Sequence, residues 1–235
     1  MQIGAVIPAA GAGRRFGSRA GKLFERVAGQ PLLVHALAAL HGVPAIRAIV
    51  VVARERDHHA IRRLIEHRRL TRVVAVVSGG ATRAESVRRG IAALPASMSW
   101  VLIHDGARPY VPARVLQAVI AQAARSGAAV CGMPASLTVK SVDAQGAVRL
   151  TLDRDHLWLI QTPQVFRRAW WDEAIARVNG QLGQFPDDAA LLEWAGFPVQ
   201  VVPGDPWNIK VTTREDLILA EMILHRQGVR SRKTS

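Results

Sequence analysis

Cysteine is nearly missing from this chain. With Cys131 alone in 235 residues, no intramolecular disulfide and no cysteine zinc cage can form, which excludes the disulfide-rich secreted class. Long apolar runs are missing as well: nowhere do about 18 apolar residues follow one another, the minimum for a spanning helix. Met1 leads straight into Gln2-Ile3-Gly4-Ala5-Val6-Ile7-Pro8 without the basic start of an export signal. The expectation is a cytoplasmic protein without a membrane span. Neither an internal repeat nor a low-complexity linker interrupts the chain, and 49% hydrophobic residues suffice for one sizeable core. A single domain over residues 1–235 is therefore expected.

Lysine is scarce too. The 31 basic residues comprise 27 Arg and only Lys22, Lys140, Lys210 and Lys233, against 18 acids, for a net charge of +13. Such a field attracts polyanions, and nucleic acid is the first class it suggests. Where arginine is the default cation, each retained lysine points to a place where a compact ammonium is wanted, because the two side chains are not interchangeable at a tight anion site. The stretch from Arg54 to Arg72 holds seven Arg, but also Ile61, Leu64 and Ile65 at helical spacing. It reads as the solvated face of a surface helix rather than a nucleic-acid patch. The histidines lack metal-ligand spacing, and the tryptophans are too scattered for a stacking platform.

Short apolar runs at Ile3 to Pro8, Ile46 to Ala53, Val73 to Ser78, Trp100 to His104 and Ala128 to Met133 predict strands covered on both faces. Helices are predicted between them. One takes Pro31 in its first turn and runs to about His41, one opens at the capping box Thr82-Arg83-Ala84-Glu85 and reaches Leu94, and one starts near Pro112 and ends at Gly127. This alternation predicts a doubly wound, mostly parallel α/β sheet with ligands at the carboxyl ends of its strands. Pro134 to His156 breaks the pattern around Asp143-Ala144-Gln145-Gly146 and reads as a protruding β-hairpin arm. Helices then follow at Arg167 to Val178 and Asp188 to Ala195, strand-like runs at Pro198 to Val202 and Ile209 to Val211, and a last helix from Thr213 to Arg226. A basic tail at about 229–235 is expected to fray.

The first strand ends in Pro8-Ala9-Ala10-Gly11-Ala12-Gly13-Arg14-Arg15-Phe16-Gly17, followed by Gly21-Lys22. Small residues here let backbone amides approach phosphates, with Arg15 and Lys22 supplying charge. Phe16 and Leu23 break the dinucleotide and P-loop templates, so an ordinary tight strand-to-helix connection stays the alternative. The fourth strand ends in His104-Asp105-Gly106-Ala107-Arg108-Pro109. Asp105 can take hydroxyls or a metal and Arg108 a phosphate, the alternative being a mutual ion pair. Ser78-Gly79-Gly80 with Arg83 and Ser86 can read a base edge or be a turn and a cap. Lys210 reads as lying on a short apolar strand, Asn208-Ile209-Lys210-Val211-Thr212, where an unpaired charge is costly, which suggests an anionic partner. Thr138, Lys140, Asp153 and Arg154 read as hairpin surface, and Cys131 as buried packing.

Taken in order, the first loop, Gly79-Gly80 with Arg83 and Ser86, the His104 to Pro109 block, Asp153-Arg154, Gln161-Thr162-Pro163-Gln164 and Asn208 to Thr212 resemble the 2-C-methyl-D-erythritol 4-phosphate cytidylyltransferases over nearly the whole chain. The resemblance implies the nucleotidyltransferase variant of the doubly wound fold and transfer of a cytidylyl group from CTP to a sugar-alcohol phosphate. It implies a divalent cation, usually magnesium, held through the triphosphate rather than by protein ligands, and a homodimer with exchanged arms. By matched position, Arg15, Lys22, Arg154 and Lys210 carry catalysis. Pro8, Ala9, Ala10, Gly11, Gly13, Gly80, Arg83, Ser86, Asp105 and Gly106 hold the nucleotide. Asp105, Arg108, Thr138, Arg154, Thr162 and Lys210 hold the acceptor, Thr138 and Arg154 reaching across the dimer.

Departures from the family pattern are Gly21-Lys22-Leu23 for the usual Pro-Lys-Gln, Gly106 for Ala, Pro186 for Thr, and Trp207 before the Asn-Ile-Lys block. The sister ribitol-5-phosphate cytidylyltransferases more often carry Ala-Gly-Gly and His-Asp-Ser-Val-Arg-Pro, so Pro8-Ala9-Ala10 and Gly106-Ala107 favour methylerythritol phosphate. Specific nucleic-acid binding is not expected.

Overall fold

The computed structural model of the chain describes residues 1–11, 16, 21–178, 180 and 182–233. Its strands are β1 (Ile3–Pro8), β2 (Arg26–Val27), β3 (Gln30–Pro31), β4 (Ile46–Ala53), β5 (Val73–Ser78), β6 (Trp100–Ile103), β7 (Ala128–Pro134), β8 (Val139–Val142), β9 (Val148–Leu152), β10 (Trp158–Arg167) and β11 (Gln200–Pro203). The helices are α1 (Leu32–His41), α2 (His58–His67), α3 (Arg83–Ala92), α4 (Ala113–Ser126), α5 (Arg168–Arg177), α6 (Asp188–Trp194) and α7 (Arg214–Lys233).

Seven strands form the central sheet in the order β11-β7-β10-β6-β1-β4-β5. Only β10 runs antiparallel to its neighbours, β6 and β7. Alternation along β1 sends Ala5 and Ile7 to the face covered by α1, α2 and α4, and Val6 to the face covered by α3, α5 and α6. A fully buried side chain such as Ile7, Leu37 or Ile103 contributes roughly 1.5–3 kcal/mol, so burial on both faces clamps the middle strands. The chain winds outward from β1 in both directions, to β4 on one side and β6 on the other, and a crevice opens above the carboxyl ends of these strands.

Local chemistry accounts for the element ends. Thr82 Oγ1 accepts from the Glu85 N–H at 3.1 Å, and the Glu85 carboxylate accepts from the Ala81 N–H at 2.7 Å, so the capping box forms with its return bond one residue early. Gly127 closes α4 at φ +91°, a left-handed conformation that favours glycine. Arg72, from the arginine-rich stretch, donates to the carbonyls of His41 and Val43 and so caps the end of α1. Ile61 on α2 is buried in the core, in keeping with a surface helix.

Three expectations need correction. The strand β10 is absent from the sequence-based expectation, because Pro163 and two glutamines interrupt its apolar run and proline argues against a central strand; a register shift between Ile160 and Gln164 accommodates it. Ile209 to Val211 is not a strand but a loop, joined to the site by the Val211 N–H donating to Ala107 O at 2.9 Å. Finally, α7 continues to Lys233, past the end read at Arg226. This helix is tied to the body by Ala28 N–H donating to Glu221 Oε2 at 2.6 Å, and its start by Asp216, which accepts from Thr212 and Thr213.

The arm forms as expected. β8 and β9 pair as a separate two-stranded sheet. Asp143 Oδ1 accepts from the N–H groups of Gln145 and Ala147 at the tip, where Gly146 has φ +86°.

Candidate active site

The crevice is a cleft of about 380 Å³ lined by Pro8, Ala9, Ala10, Gly11, Lys22, Leu23, Gly80, Ala81, Thr82, Arg83, Ser86, Asp105, Ala107 and Lys210. Its walls are the loop after β1, the β5–α3 connection, the loop after β6 and the loop before α7. Small residues set the width. A Cβ on Gly79 would stand 2.4 Å from Ala10 Cβ, so the loop after β1 and the β5–α3 connection close on each other only with glycine at that position. Ser86 Oγ accepts from the Gly80 N–H at 3.0 Å and donates to Thr82 O at 2.9 Å; its hydroxyl shapes the loop.

Asp105 is the electrostatic centre. Its carboxylate lies 2.9 Å from Lys210 Nζ, 3.6 Å from Arg108 Nε and 3.7 Å from Arg83 Nε. Burial pushes its pKa upward, yet Lys210, Arg83 and Arg108 together outweigh burial and hold it at about 2. Arg83 also pairs with the buried Asp188 at 2.8 Å. Burial alone would lower the Arg83 pKa, but Asp188 and Asp105 leave it raised. Asp188 itself is raised by burial against the pull of Arg83. Arg108 is buried, its Nη1 donates to Asn208 O at 2.6 Å, and burial lowers its pKa. The lysine anticipated to need an anion has one in Asp105.

Lys22 Nζ donates to Val211 O at 2.6 Å, which joins the loop after β1 to the loop before α7. The preceding Gly21 has φ +89°, a value proline cannot adopt. The space a side chain would take there is filled by Arg54 Nη2, 2.7 Å from an ideal Cβ. The departure from the family's proline thus has a local partner in Arg54, itself held by Asp57 at 2.7 Å.

Three residues expected at the site stand behind its wall. Thr162 is buried and accepts from the Asp105 N–H at 3.0 Å. Arg108 reaches Asn208 as described. Gly106 packs beneath, where a Cβ would come within 3.0 Å of Ile7 Cγ2 and 3.2 Å of Leu33 Cδ1. Thr138 and Arg154 are on the arm, exposed, and line no part of the cleft of their own chain. Gly13 and Arg15 lie outside the described residues.

Supporting residues are harder to foresee. Asn208 Nδ2 donates to Thr162 O at 2.8 Å. Gln164 bridges Asp187 and the Ala189 N–H, and Asp187 caps α6 by accepting from the Ala190 N–H. Asp187-Asp188 before a helical run is a legible cap, but nothing in the sequence pairs Asp188 with Arg83, 105 residues away. Trp207 lies beneath the Arg226 guanidinium at 5.4 Å. Lys140 donates to Thr151 Oγ1 along the arm. Cys131 is buried, and burial pushes its thiol up to about 12, which makes it inert.

Among the described residues no group of three or more His, Cys, Asp or Glu is placed to hold a metal, and no helix is long and apolar enough to cross a membrane.

Residues 3–226 match the family model for 2-C-methyl-D-erythritol 4-phosphate cytidylyltransferase. A relative of that name from Syntrophus aciditrophicus is 42% identical, with 96% of this chain aligned to 97% of the relative. One from Synechococcus sp. (strain WH7803) is 41% identical over 93% and 97%. Among solved structures, 4-diphosphocytidyl-2C-methyl-D-erythritol synthase from Anaerococcus prevotii superposes with a TM-score of 0.80 at 31% identity, covering 95% of this chain and 98% of the other. The cytidylyltransferase from Thermus thermophilus gives 0.77 at 33% identity, with 95% and 98% covered.

Proposed function

The chain belongs to the 2-C-methyl-D-erythritol 4-phosphate cytidylyltransferase family, and we propose that the cleft above β1 and β6 is where it acts, with the cations around Asp105 as its machinery. The reaction moves a cytidylyl group from CTP to 2-C-methyl-D-erythritol 4-phosphate and releases pyrophosphate, a step in isoprenoid precursor synthesis.

The observation that carries the residue assignment is the convergence of three cations, Lys22, Arg83 and Lys210, on one cleft around the Asp105 carboxylate, with Arg108 and Asp188 paired to Asp105 and Arg83 from behind its wall. The nucleophile is a phosphate oxygen that is already anionic, so no strong general base is required. The obstacle is repulsion. Two unit charges 4 Å apart cost roughly 4 kcal/mol at an effective dielectric of about 20, and two polyanions bring several such pairs together. Lys22 and Arg15 are assigned to the triphosphate, with Pro8, Ala9, Ala10, Gly11, Gly13, Gly80, Arg83 and Ser86 around the nucleotide. Gly106 is assigned to the nucleotide as well, Asp105 stands between the two, and Lys210, Asp105, Arg108 and Thr162 form the acceptor side.

A divalent cation such as magnesium fits a cleft of this make-up. Among the described lining residues Asp105 is the one carboxylate, and it is already bonded to Lys210, so the phosphates themselves would supply the ligands and the ion would offset their charge. Thr138 and Arg154 are assigned to the site of a second copy, in a homodimer with exchanged arms. Leu137, Val142, Val148 and Leu150 on the arm are each more than half exposed, an apolar surface of the kind a partner covers. A cytoplasmic location accords with the single buried thiol.

The test is pyrophosphate release with CTP and either 2-C-methyl-D-erythritol 4-phosphate or ribitol 5-phosphate, side by side, for wild type and Lys22→Ala. Turnover with the first acceptor, reduced on the order of a hundredfold or more in the variant, is expected. Preference for ribitol 5-phosphate would overturn the acceptor assignment, and robust turnover by Lys22→Ala would overturn the role of that lysine.

A further inference from the structure

We propose that His104 is a positioning residue for the acceptor side of the cleft, holding the Asp105–Arg108 turn against Thr162 through both of its ring nitrogens. The inference rests on the cytidylyltransferase reading of the cleft and assigns a residue that reading leaves without a task.

His104 directly follows β6 and is fully buried. Its Nε2 lies 3.2 Å from Arg108 O, and its Nδ1 lies 3.2 Å from Thr162 Oγ1. The direction of each hydrogen bond follows from its partners. A carbonyl only accepts, so Nε2 carries the proton and donates to Arg108 O. Nδ1 of the neutral ring is then an acceptor and takes the Thr162 O–H. The Thr162 oxygen in turn accepts from the Asp105 N–H at 3.0 Å, and the Arg108 N–H donates to Asp105 O at 3.0 Å. These four bonds make a closed ring through residues 104, 105, 108 and 162, each donor matched to one acceptor.

The neutral ring is the form the site keeps. Burial lowers the His104 pKa to about 4, the main opposing influence being Asp105. A doubly protonated ring would present two donors, leaving Nδ1–H directed at a hydroxyl whose proton must turn elsewhere. A histidine beside the reacting phosphates invites assignment as the base. Its geometry gives it a different task, since both nitrogens are spent on the scaffold and His104 lines no part of the cleft. What it sets is where the Asp105 carboxylate and the Arg108 guanidinium stand, and the position of Lys210 on Asp105 follows from that, whereas Arg83 is held independently by Asp188.

The measurement is steady-state kinetics with CTP and 2-C-methyl-D-erythritol 4-phosphate for wild type, His104→Leu, His104→Asn and His104→Gln, each checked by thermal melt. His104→Leu is expected to lower kcat/KM for the acceptor roughly tenfold or more, about the worth of one to two hydrogen bonds, while KM for CTP stays within about twofold. Asparagine can still accept from Thr162 and glutamine can still donate to Arg108 O, so each is expected to recover part of the loss. If His104→Leu does not fold, the asparagine and glutamine variants carry the test, with loss confined to the acceptor expected. Equal loss on both substrates, or wild-type kinetics in a folded variant, would overturn the positioning role. Wild-type turnover in the same plate separates the two claims: an inactive wild type sinks the cytidylyltransferase reading and this proposal with it, whereas an active wild type beside unaffected variants sinks this proposal alone.

Discussion

Asp105 and His104 are chain neighbours, both buried, and their environments push both pKa values down: three cations lower the acid against burial, while burial lowers the histidine. Both shifts make the fold sensitive to acid. His104 stands at about 4 against an ordinary 6.5, so the unfolded chain binds a proton below pH 6.5 that the native chain refuses until pH 4. The stability it contributes is complete above pH 6.5 and lost as pH falls toward 4. Asp105, at about 2 against 3.8, extends the loss from pH 3.8 downward. The histidine alone accounts for a decrease on the order of 3 kcal/mol. Urea midpoints measured from pH 7 to pH 4.5 should therefore fall steadily, and the fall should flatten in a folded His104→Gln variant. Most residues facing the cleft are legible in the sequence, because small residues, carboxylates and cations gathered at the carboxyl ends of apolar strands contribute little to packing and suit an anionic ligand. Asp188 and His104 receive no role from the sequence, since their partners lie across the fold and a single chain carries no sign of such pairing.

Helix α3 shows how an element carries a site. Its first turn holds the cap and Arg83, and its last turn must lie close on the sheet, because Gly90 abuts Val6 and Val52. A Cβ there would meet Val6 Cγ1 at 2.4 Å and Val52 Cγ2 at 2.7 Å. Gly90→Ala gains about 1 kcal/mol of helix propensity but overpacks a rigid core, at a cost of typically 1–3 kcal/mol. Net destabilisation of about 1 kcal/mol is expected in urea, together with a raised KM for CTP as α3 and its Gly79-Gly80 entry are displaced. A stabilised variant would show that the interface yields. The parallel strands and their helices are legible from alternation alone. β10 is not, for the residues that spoil its apolar run are those used for bracing: Thr162 beneath Asp105, Gln161 and Gln164 bonded to neighbouring loops. The loop before α7 reads as a strand for the converse reason. Its apolar Val211 packs under α7, while its backbone serves Lys22 and Arg108 instead of a ladder.

At the scale of the whole molecule, the charge of +13 divides into a few cations that converge on Asp105 and a larger number spread over the surface, some with structural duties such as Arg72 at the end of α1. The arm divides the molecule differently. Arg154 donates to Ser136 O at its base and, with Thr138, stays outside the cleft of its own chain. In the exchanged dimer proposed above, each working centre would belong to neither polypeptide, and two defective chains would make good each other's faults. Lys22→Ala spoils the cleft of the chain that bears it and Arg154→Ala the arm; each alone should be inactive as a homodimer. Unfolded together, mixed in equal amounts and refolded, they should regain about a quarter of wild-type turnover, because half the dimers are mixed and one centre in each is whole. Recovery near zero would mean that every cleft is served by its own arm.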